Sequence, residues 1–247
     1  MNLILLENQA NIQCLPAADR RAEHIRKTLL KAGVDKLYVG VPGGAMGMAN
    51  ATLTESGNVR LDIEWQAEPE GPGGYPLILL VGLSRPQTCR KILRDVACLG
   101  IRELVFYRSD KGEPAYASSS LWKSDEWKRQ LYEGIEQAFD THLPVVEHAD
   151  SLGDAIGKYR ELAVDRFALD NYEATMAIAD IPKGETSVLL AVGSERGFSA
   201  GERDTLRASG FTLAHLGSRV LRTETAIVAG CSVVAAVRGW HRQANGA

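Results

Sequence analysis

Short apolar runs alternate with longer amphipathic segments over the last two thirds of the chain. The runs are rich in Leu, Ile and Val, as is typical of strands that are buried on both faces. Strands that alternate with helices predict an α/β fold, in which a parallel sheet carries helices on both faces. The predicted strands are Leu77–Val81, Ile101–Tyr107, a strand near Val145, Arg166–Asp170, Ser187–Val192 and Phe211–Leu216. The predicted helices between them are Gln87–Leu99, Ser124–Phe139 and Leu152–Tyr159.

The stretch that follows Ser187–Val192 has strong local signals. Gly193 closes the strand and opens a polar loop. Ser199 then precedes Glu202 by three residues, the spacing of a capping box, so a helix is predicted to start here. Gly210 stands where such a helix would end.

Two further loops are predicted at the carboxyl ends of strands. Gly217-Ser218 breaks the strand Phe211–Leu216, and Leu169-Asp-Asn171 ends an earlier strand. Arg222-Thr-Glu-Thr225 then opens a closing helix that is apolar around most of its circumference. Ligands of open α/β sheets bind at the carboxyl ends of the strands, so a pocket is expected there.

The first part of the chain has a different pattern. A short strand at Leu3–Leu6 and a helix at Pro16–Leu30 precede three strands with glycine turns, which predict a small antiparallel barrel. These three strands are Leu37–Val41, Met46–Leu53 and Val59–Trp65. Ala67–Pro76 has three prolines and three glycines without periodicity and reads as a linker. Two domains are therefore predicted, residues 1–70 and 71–247.

The predicted N-terminal helix has its charges on one face. Arg20, His24, Lys27 and Lys31 recur at steps of three and four residues, which places them together. Two interpretations remain open. The face is either an ordinary solvated surface or a ridge that contacts the phosphates of a nucleic acid.

Composition narrows the class of protein. The chain has 247 residues and a net charge of −3, so any contact with nucleic acid must come from a local basic patch. Four cysteines lie far apart, which argues for reduced thiols in the cytoplasm and against a metal site. The apolar start is too short for a signal peptide or a membrane span. No Gly-x-Gly-x-x-Gly or Gly-x-x-x-x-Gly-Lys-Ser/Thr motif is present, which disfavours nicotinamide and nucleoside triphosphate enzymes.

Two stretches at the C-terminal end resemble a known family. Leu216–Ala226 is similar to the C-terminal signature of the SPOUT-class ribosomal RNA uridine-N3 methyltransferases, and Gly193–Ser199 is similar to their preceding glycine loop. The resemblance implies a deep trefoil knot, an S-adenosylmethionine (SAM) cofactor and a homodimer that completes the site. It also implies a PUA-like first domain and an RNA partner, the 16S ribosomal RNA or the small ribosomal subunit.

The resemblance also implies roles for individual residues. Glu195 is a candidate base and Arg222 a candidate stabiliser of an anionic ring or phosphate, while a salt bridge to Glu224 or to a neighbouring helix is the structural alternative for Arg222. RNA contacts are expected at the basic N-terminal face and at Arg196. The residues expected around the cofactor are Leu169, Gly193, Glu195, Gly197, Leu216, Gly217, Leu221, Thr223 and Thr225.

Three departures from the family pattern leave a second function open. Arg196 stands in a glycine loop that the family writes Gly-Pro-Glu-Gly-Gly. Ala97-Cys98-Leu99-Gly100 replaces Thr-Glu-Leu-Gly, and Ala138-Phe139-Asp140 replaces Ser-Gly-Arg. The alternative to a methyltransferase of this target is a catalytically weak RNA-binding paralogue that keeps the cofactor pocket, or a methyltransferase with another RNA target.

Overall fold

The computed structural model describes residues 3–67 and 73–241 of the chain. These residues form two compact units. The first comprises Met1–Gly73 and Tyr132–Leu143, and the second comprises Gly74–Leu131 and Pro144–Ala247. The predicted domain boundary after residue 70, within the predicted linker, falls outside the described residues. The segment Tyr132–Leu143 was predicted with the second domain, whereas the structure groups it with the first unit.

The first unit is built on a five-stranded sheet. Its strand order is β1-β3-β4-β5-β2, with β1 parallel to β3 and all other neighbours antiparallel. The strands are β1 (Ile4–Leu5), β2 (Ile12–Leu15), β3 (Lys36–Gly40), β4 (Met46–Leu53) and β5 (Val59–Trp65). Among the described residues no ladder joins the outer strands β1 and β2. The bounds of β4 and β5 are those predicted, while β2 was missed because only Leu15 in it is buried.

The N-terminal helix starts later than predicted. Asp19 accepts a hydrogen bond from the Arg21 N–H, and helix α1 therefore begins at Arg20 rather than at Pro16. The structure is α-helical over Arg20–His24 and continues as a π-helical turn, Ile25–Leu29. Ala22, Ile25 and Leu29 of this segment are buried, and they pack in the core of this unit.

The second unit contains a seven-stranded sheet in which every neighbouring pair is parallel. Its order is β10-β12-β9-β11-β6-β7-β8. The strands are β6 (Tyr75–Gly82), β7 (Ile101–Tyr107), β8 (Val145–Ala149), β9 (Asp165–Leu169), β10 (Met176–Ala177), β11 (Val188–Val192) and β12 (Thr212–His215). The predicted α/β class with a parallel sheet is confirmed. The two-residue β10 was not predicted, because so short a strand has no periodicity to detect.

Helices cover both faces of this sheet. They are α2 (Pro86–Cys98), α5 (Leu152–Gly157), α6 (Ala200–Ala208) and α7 (Thr223–Arg238). Between β7 and β8 the chain also forms α3 (Ser120–Lys123) and α4 (Glu126–Ala138), and the second half of α4 belongs to the first unit. Leu152, Ile156 and Leu206 of α5 and α6 pack on one side against Leu80 and Leu189 of the central strands. On the other side α2 and α7 pack against each other and against strands β7 and β11.

Helix α6 has the predicted capping box. The Ser199 hydroxyl accepts the Glu202 N–H at 3.0 Å, and the Glu202 carboxylate accepts the Ser199 N–H at 2.7 Å. A 3-10 turn, Pro114–Ser118, precedes α3.

Helix α4 ends in an unusual conformation. Phe139 follows its last residue with φ of +56°, a left-handed value that is costly for a side chain with a Cβ. The family pattern has Gly at this position. The Phe139 ring packs edge-on against Tyr38, with centroids 5.6 Å apart. Asp140, where the family has Arg, accepts hydrogen bonds from the Thr141 and His142 N–H groups and so stabilises the turn.

Glycine should therefore be preferred over alanine at position 139. Phe139→Ala loses the ring contact and keeps the strain, whereas Phe139→Gly loses the contact and relieves the strain. We expect Phe139→Gly to have the higher free energy of unfolding, by about 0.5–1 kcal/mol, in urea denaturation followed by circular dichroism. At exposed Gln137, in the last turn of α4, the order should reverse, with the Ala variant more stable than the Gly variant by up to about 1 kcal/mol. The same order at both positions would contradict the strain argument.

Candidate functional site

A pocket of about 660 Å³ lies at the carboxyl edge of the parallel sheet. Three loops form it: one follows β9, one follows β11, and one joins β12 to α7. The N-terminal part of α2 and the first turn of α7 complete the lining. A volume of this size is typical of sites for small organic ligands.

Close backbone contact shapes this pocket. Gly82 ends β6 directly beside the loop after β11, and a Cβ atom built on it would lie 2.4 Å from the Ser194 nitrogen. Gly230 brings α7 onto β9, where a Cβ atom would lie 2.6 Å from Leu169 Cδ1. The contact at Gly82 is with backbone and leaves no room for a side chain, so Gly82 fixes the position of the β11 loop. The contact at Gly230 is with the end of the Leu169 side chain, which could shift to make room.

Side chains from a neighbouring loop hold the glycine loop after β11. The Lys111 amine donates to the Phe198 carbonyl at 2.8 Å. The Ser199 hydroxyl donates to Asp110, whose own N–H donates to Glu202. The Ser109 and Ser194 hydroxyls are buried and 3.2 Å apart. Gly193 and Gly197 thus belong to a loop that is fixed from both sides.

A buried ion pair anchors the loop after β9. The Arg203 guanidinium on α6 donates to the Asp170 carboxylate, and both side chains are almost fully buried. Asp170 also accepts the N–H groups of Tyr172 and Glu173. Burial alone would raise the pKa of Asp170, but the hydrogen bond from Arg203 and the two backbone bonds outweigh it, so the pKa lies below its ordinary value. Asp170 is therefore a structural carboxylate in its ionised form.

The N-terminus of α7 faces the pocket. Arg222 is its N-cap and Thr223 its first helical residue, and both line the pocket. Glu224 pairs with Lys91 of α2 at 3.1 Å. The predicted alternative for Arg222, a salt bridge to Glu224, is not formed, and Arg222 has no ion pair within the described ranges. The exposed guanidinium is available to an anionic group.

The two charged residues of the glycine loop have different surroundings. A Glu195 carboxylate oxygen accepts the Arg85 N–H at 3.0 Å, and Arg85 is the N-cap of α2. Glu195 thus supplies the capping group that Arg85 lacks, a favourable position for a negative charge. Arg196 is exposed, with Glu113 at 3.7 Å as its nearest carboxylate. Both residues line the pocket.

Most of the residues predicted around a ligand line this one pocket. They are Leu169, Gly193, Glu195, Arg196, Gly197, Leu216, Leu221, Arg222 and Thr223. Gly217 and Thr225 do not line the pocket, although their chain neighbours Leu216, Glu224 and Ala226 do. The sequence reasoning missed Arg85 and Lys91 of α2, and it missed Tyr172 and Val220, each 77% exposed at the pocket. A large exposed apolar residue has no signal in a single sequence.

The predicted basic face lies in the first unit. Arg20, His24, Lys27 and Lys31 are all exposed. Lys27 pairs with Glu23 at 2.6 Å, which reduces its net contribution of positive charge. The π-helical turn in this segment alters the spacing that the prediction assumed.

The described residues contain no cluster of three or more His, Cys, Asp or Glu side chains that is suited to a metal ion. No helix in residues 3–67 and 73–241 combines the length and hydropathy that crossing a bilayer requires.

A parallel sheet with a loop-built pocket at its carboxyl edge defines an α/β protein that binds a small organic ligand. Comparison with known proteins gives a narrower class. The sequence model of the RNA methyltransferase domain matches residues 72–235, which include every residue that lines the pocket.

The chain is similar over nearly its full length to proteins named ribosomal RNA small subunit methyltransferase E. It is 30% identical to that of Treponema pallidum, with 98% of this chain and 94% of the relative covered. It is 24% identical to a second, from Borreliella burgdorferi, with 95% and 98% covered. The chain belongs to the RNA methyltransferase family.

Solved structures share this fold at low sequence identity. The crystal structure of ribosomal RNA small subunit methyltransferase E from Neisseria gonorrhoeae, bound to SAM, superposes with a TM-score of 0.74 at 19% identity and covers 96% of this chain and 98% of its own. A probable rRNA methyltransferase from Porphyromonas gingivalis gives 0.73 at 19% identity, with 98% and 100% covered.

The Asp170–Arg203 pair should make stability depend on pH. A carboxylate with a lowered pKa stabilises the fold above its ordinary pKa of 3.8, and this contribution is lost as the pH falls through the folded value. At pH 7 we expect Asp170→Asn to cost about 3–5 kcal/mol of unfolding free energy, because Arg203 is left buried without a counter-charge. The difference from wild type should shrink steadily below pH 4.

The control for this prediction is Glu173→Gln. Glu173 also lies near Arg203, at 3.6 Å, but it is exposed, so its loss should cost less than about 1 kcal/mol. Thermal unfolding of both variants between pH 3 and pH 7 measures the difference. Equal costs for the two substitutions, or a pH-independent cost for Asp170→Asn, would contradict the assignment.

Proposed function

We propose that this protein transfers a methyl group from SAM to a ring nitrogen of ribosomal RNA, N3 of a uridine in the small-subunit RNA. One observation carries the proposal: a single pocket at the carboxyl edge of the sheet collects most of the residues that the family motifs single out. The matched relatives are named for methylation of small-subunit ribosomal RNA.

The pocket suits SAM in size and in chemistry. Backbone groups of the three loops line it, and a Cβ atom at Gly197 would meet no other atom within 4 Å, so the loop has open space in front of it. Leu169, Leu216 and Leu221 supply apolar surface for an adenine ring, and Thr223 supplies a hydroxyl. When bound, SAM supplies a methyl group that its sulfonium activates for transfer.

The protein's own residues then have two tasks. The N3 proton of a uridine must leave, and the negative charge that develops on the ring must be stabilised. Arg222, exposed at the pocket without an ion pair among the described residues, is placed in this proposal beside that charge. Glu195 is the candidate proton acceptor. Its hydrogen bond from Arg85 fixes the carboxylate in one orientation and leaves its second oxygen for this role.

RNA binding in this proposal involves the first unit. The exposed residues Arg20, His24 and Lys31 form the phosphate-contacting face of a PUA-like domain, and Arg196 adds a cation at the pocket. The protein as a whole is negatively charged, so a local face of this kind is where phosphates would be attracted.

The same proposal includes a knotted, dimeric second domain in the cytoplasm. Strand β12 pairs with β9 on the side away from β11, so the chain crosses β9 before α7 returns to β11. Helix α7 has partly exposed apolar residues, among them Val228, Ala229 and Val233, opposite its buried face. A twofold contact would bury them. A monomer in sedimentation at micromolar concentration would contradict the dimer.

A second candidate function is an RNA-binding paralogue with weak or absent turnover. Two observations favour it: Glu195 already caps α2, and Arg196 replaces a small residue of the family loop. Such a protein binds SAM and RNA without transferring a methyl group.

Methyl transfer and SAM binding test the proposal together. Small ribosomal subunits that lack the modification, incubated with the protein and SAM, should gain 3-methyluridine in nucleoside mass spectrometry.

Ala226 lines the pocket, so Ala226→Leu should weaken SAM binding in calorimetry by about 1–3 kcal/mol, roughly 5- to 150-fold. The control Ala208→Leu, exposed on α6, should bind as wild type does. SAM and RNA binding without 3-methyluridine would support the paralogue, and absence of SAM binding would contradict both functions.

Salt dependence tests the basic face. Arg20→Ala with Lys31→Ala should lower the slope of log affinity against log salt by about 0.7–0.9 for each lost phosphate contact. Lys27→Ala should change the slope less, because Glu23 already pairs with Lys27. Filter binding of the substrate RNA between 50 and 200 mM salt measures the slopes. An unchanged slope in the double variant would show that the face is an ordinary solvated surface.

A further inference from the structure

The second unit has another pocket, of about 580 Å³, that the proposed methyl transfer does not use. It lies at the carboxyl ends of β7 and β8. Four aromatic side chains line it: Phe106, Trp122, Trp127 and His148. Aromatic rings gathered at a strand edge, in a pocket of this volume, form a surface suited to a planar ligand.

Three of these rings hold one another in place. Phe106 and His148 are direct neighbours in the β7–β8 register, and their rings stack with centroids 5.9 Å apart. Trp122 of α3 packs edge-to-face on both, at 5.1 Å from Phe106 and 4.5 Å from His148. Its indole N–H is buried and has no acceptor in the described part of the chain. Ring contacts, rather than hydrogen bonding, therefore hold Trp122 in this position.

The charges of the pocket are balanced. Arg108 lies 3.6 Å from Asp150, and Lys158 pairs with Glu147. The His148 ring is partly desolvated between Phe106 and Trp122 although the residue keeps an exposed edge, and this desolvation, together with the nearby Lys158, lowers its pKa and favours the neutral ring. No unpaired cation therefore marks the site for a phosphate. Cations and carboxylates at the rim instead offer donors and acceptors to the edge of a neutral heteroaromatic ring.

This pocket neighbours the first one. Leu83, just after β6, lines the aromatic pocket, and Arg85, two residues later, lines the other. Two residues span at most about 7 Å. A single strand whose target base enters the first pocket is therefore within reach of the second.

We propose that the aromatic pocket binds an unpaired nucleobase of the substrate RNA, beside the nucleotide that is methylated. The inference rests on the proposed function, because it takes RNA as the ligand. Stacking on aromatic side chains is the usual way in which proteins hold splayed-out bases of single-stranded RNA. A base fits the neutral, ring-lined interior, and its polar edge fits the mixed rim.

Substitution of Trp127 tests this inference. It lines the pocket and is only half-buried, so Trp127→Leu should fold normally. We expect Trp127→Leu to weaken binding of the substrate rRNA fragment about 5- to 100-fold, in fluorescence anisotropy, and to leave the salt slope unchanged because no phosphate contact is lost. Trp127→Phe should recover most of the affinity. His148→Leu, a second variant at an exposed position, should also weaken binding.

Trp240 provides a matched control. It stacks on Tyr75, outside the pocket, so Trp240→Leu should leave RNA affinity unchanged. SAM affinity should be that of wild type in all four variants. Wild-type affinity of Trp127→Leu and His148→Leu for the RNA fragment would overturn the inference, even with methylation intact. If the pocket instead binds a ribosomal protein, both variants will bind naked RNA as tightly as wild type does. Their binding to the intact small subunit will then be weaker than that of wild type. A wild-type protein that binds neither SAM nor RNA would instead overturn the proposed function.

Discussion

The pocket depends on close approach of backbone segments at the carboxyl edge of the sheet. Gly82 lets the loop after β11 pass directly over the end of β6, and Gly230 lets α7 rest on Leu169 at the end of β9. A methyl group at Gly82 would collide with backbone, and relief of such overpacking in a dense interior typically costs about 1–3 kcal/mol. The larger consequence is geometric, because the shift would move the loop that forms one wall of the pocket. At Gly230 the collision would be with the end of the Leu169 side chain, which can rotate away.

The charged side chains around the pocket are of two kinds. Some are paired within the protein, and others are free to contact a ligand. Asp170 and Arg203 are buried and satisfy each other, and Lys91 pairs with Glu224. Removal of these groups would disturb the loops first. Arg196 and Arg222 stay exposed, and Glu195 uses one carboxylate oxygen to cap α2. Ion pairs and hydrogen bonds among most of the charged groups hold the loops of the site rigidly, and a few charged groups stay free for a ligand. Such preorganisation makes the electrostatic stabilisation of a ligand or transition state effective.

Much of the second unit could be predicted because its signals are local. The apolar runs fixed the strands, and Ser199 with Glu202 fixed the start of α6. The pocket followed from a general rule about parallel sheets. Arg85, Tyr172 and the whole aromatic pocket could not be predicted, since they depend on which strands are neighbours. Phe106 and His148 are 42 residues apart in sequence and adjacent only through the β7–β8 register. The left-handed Phe139 was equally hidden, because its conformation is set by the turn that Asp140 stabilises.

The two pockets differ in the physical basis of recognition. The first is lined by backbone, glycines and charged side chains, which suits a ligand with a fixed polar pattern. The second is lined by rings with a neutral balance of charge, which suits any flat base and discriminates weakly among them. Tight recognition of one small molecule and tolerant binding of a strand place opposite demands on a surface. In the proposed assignment both demands fall on one sheet edge, because β6 sits between β11, whose loop builds the first pocket, and β7, whose end builds the second.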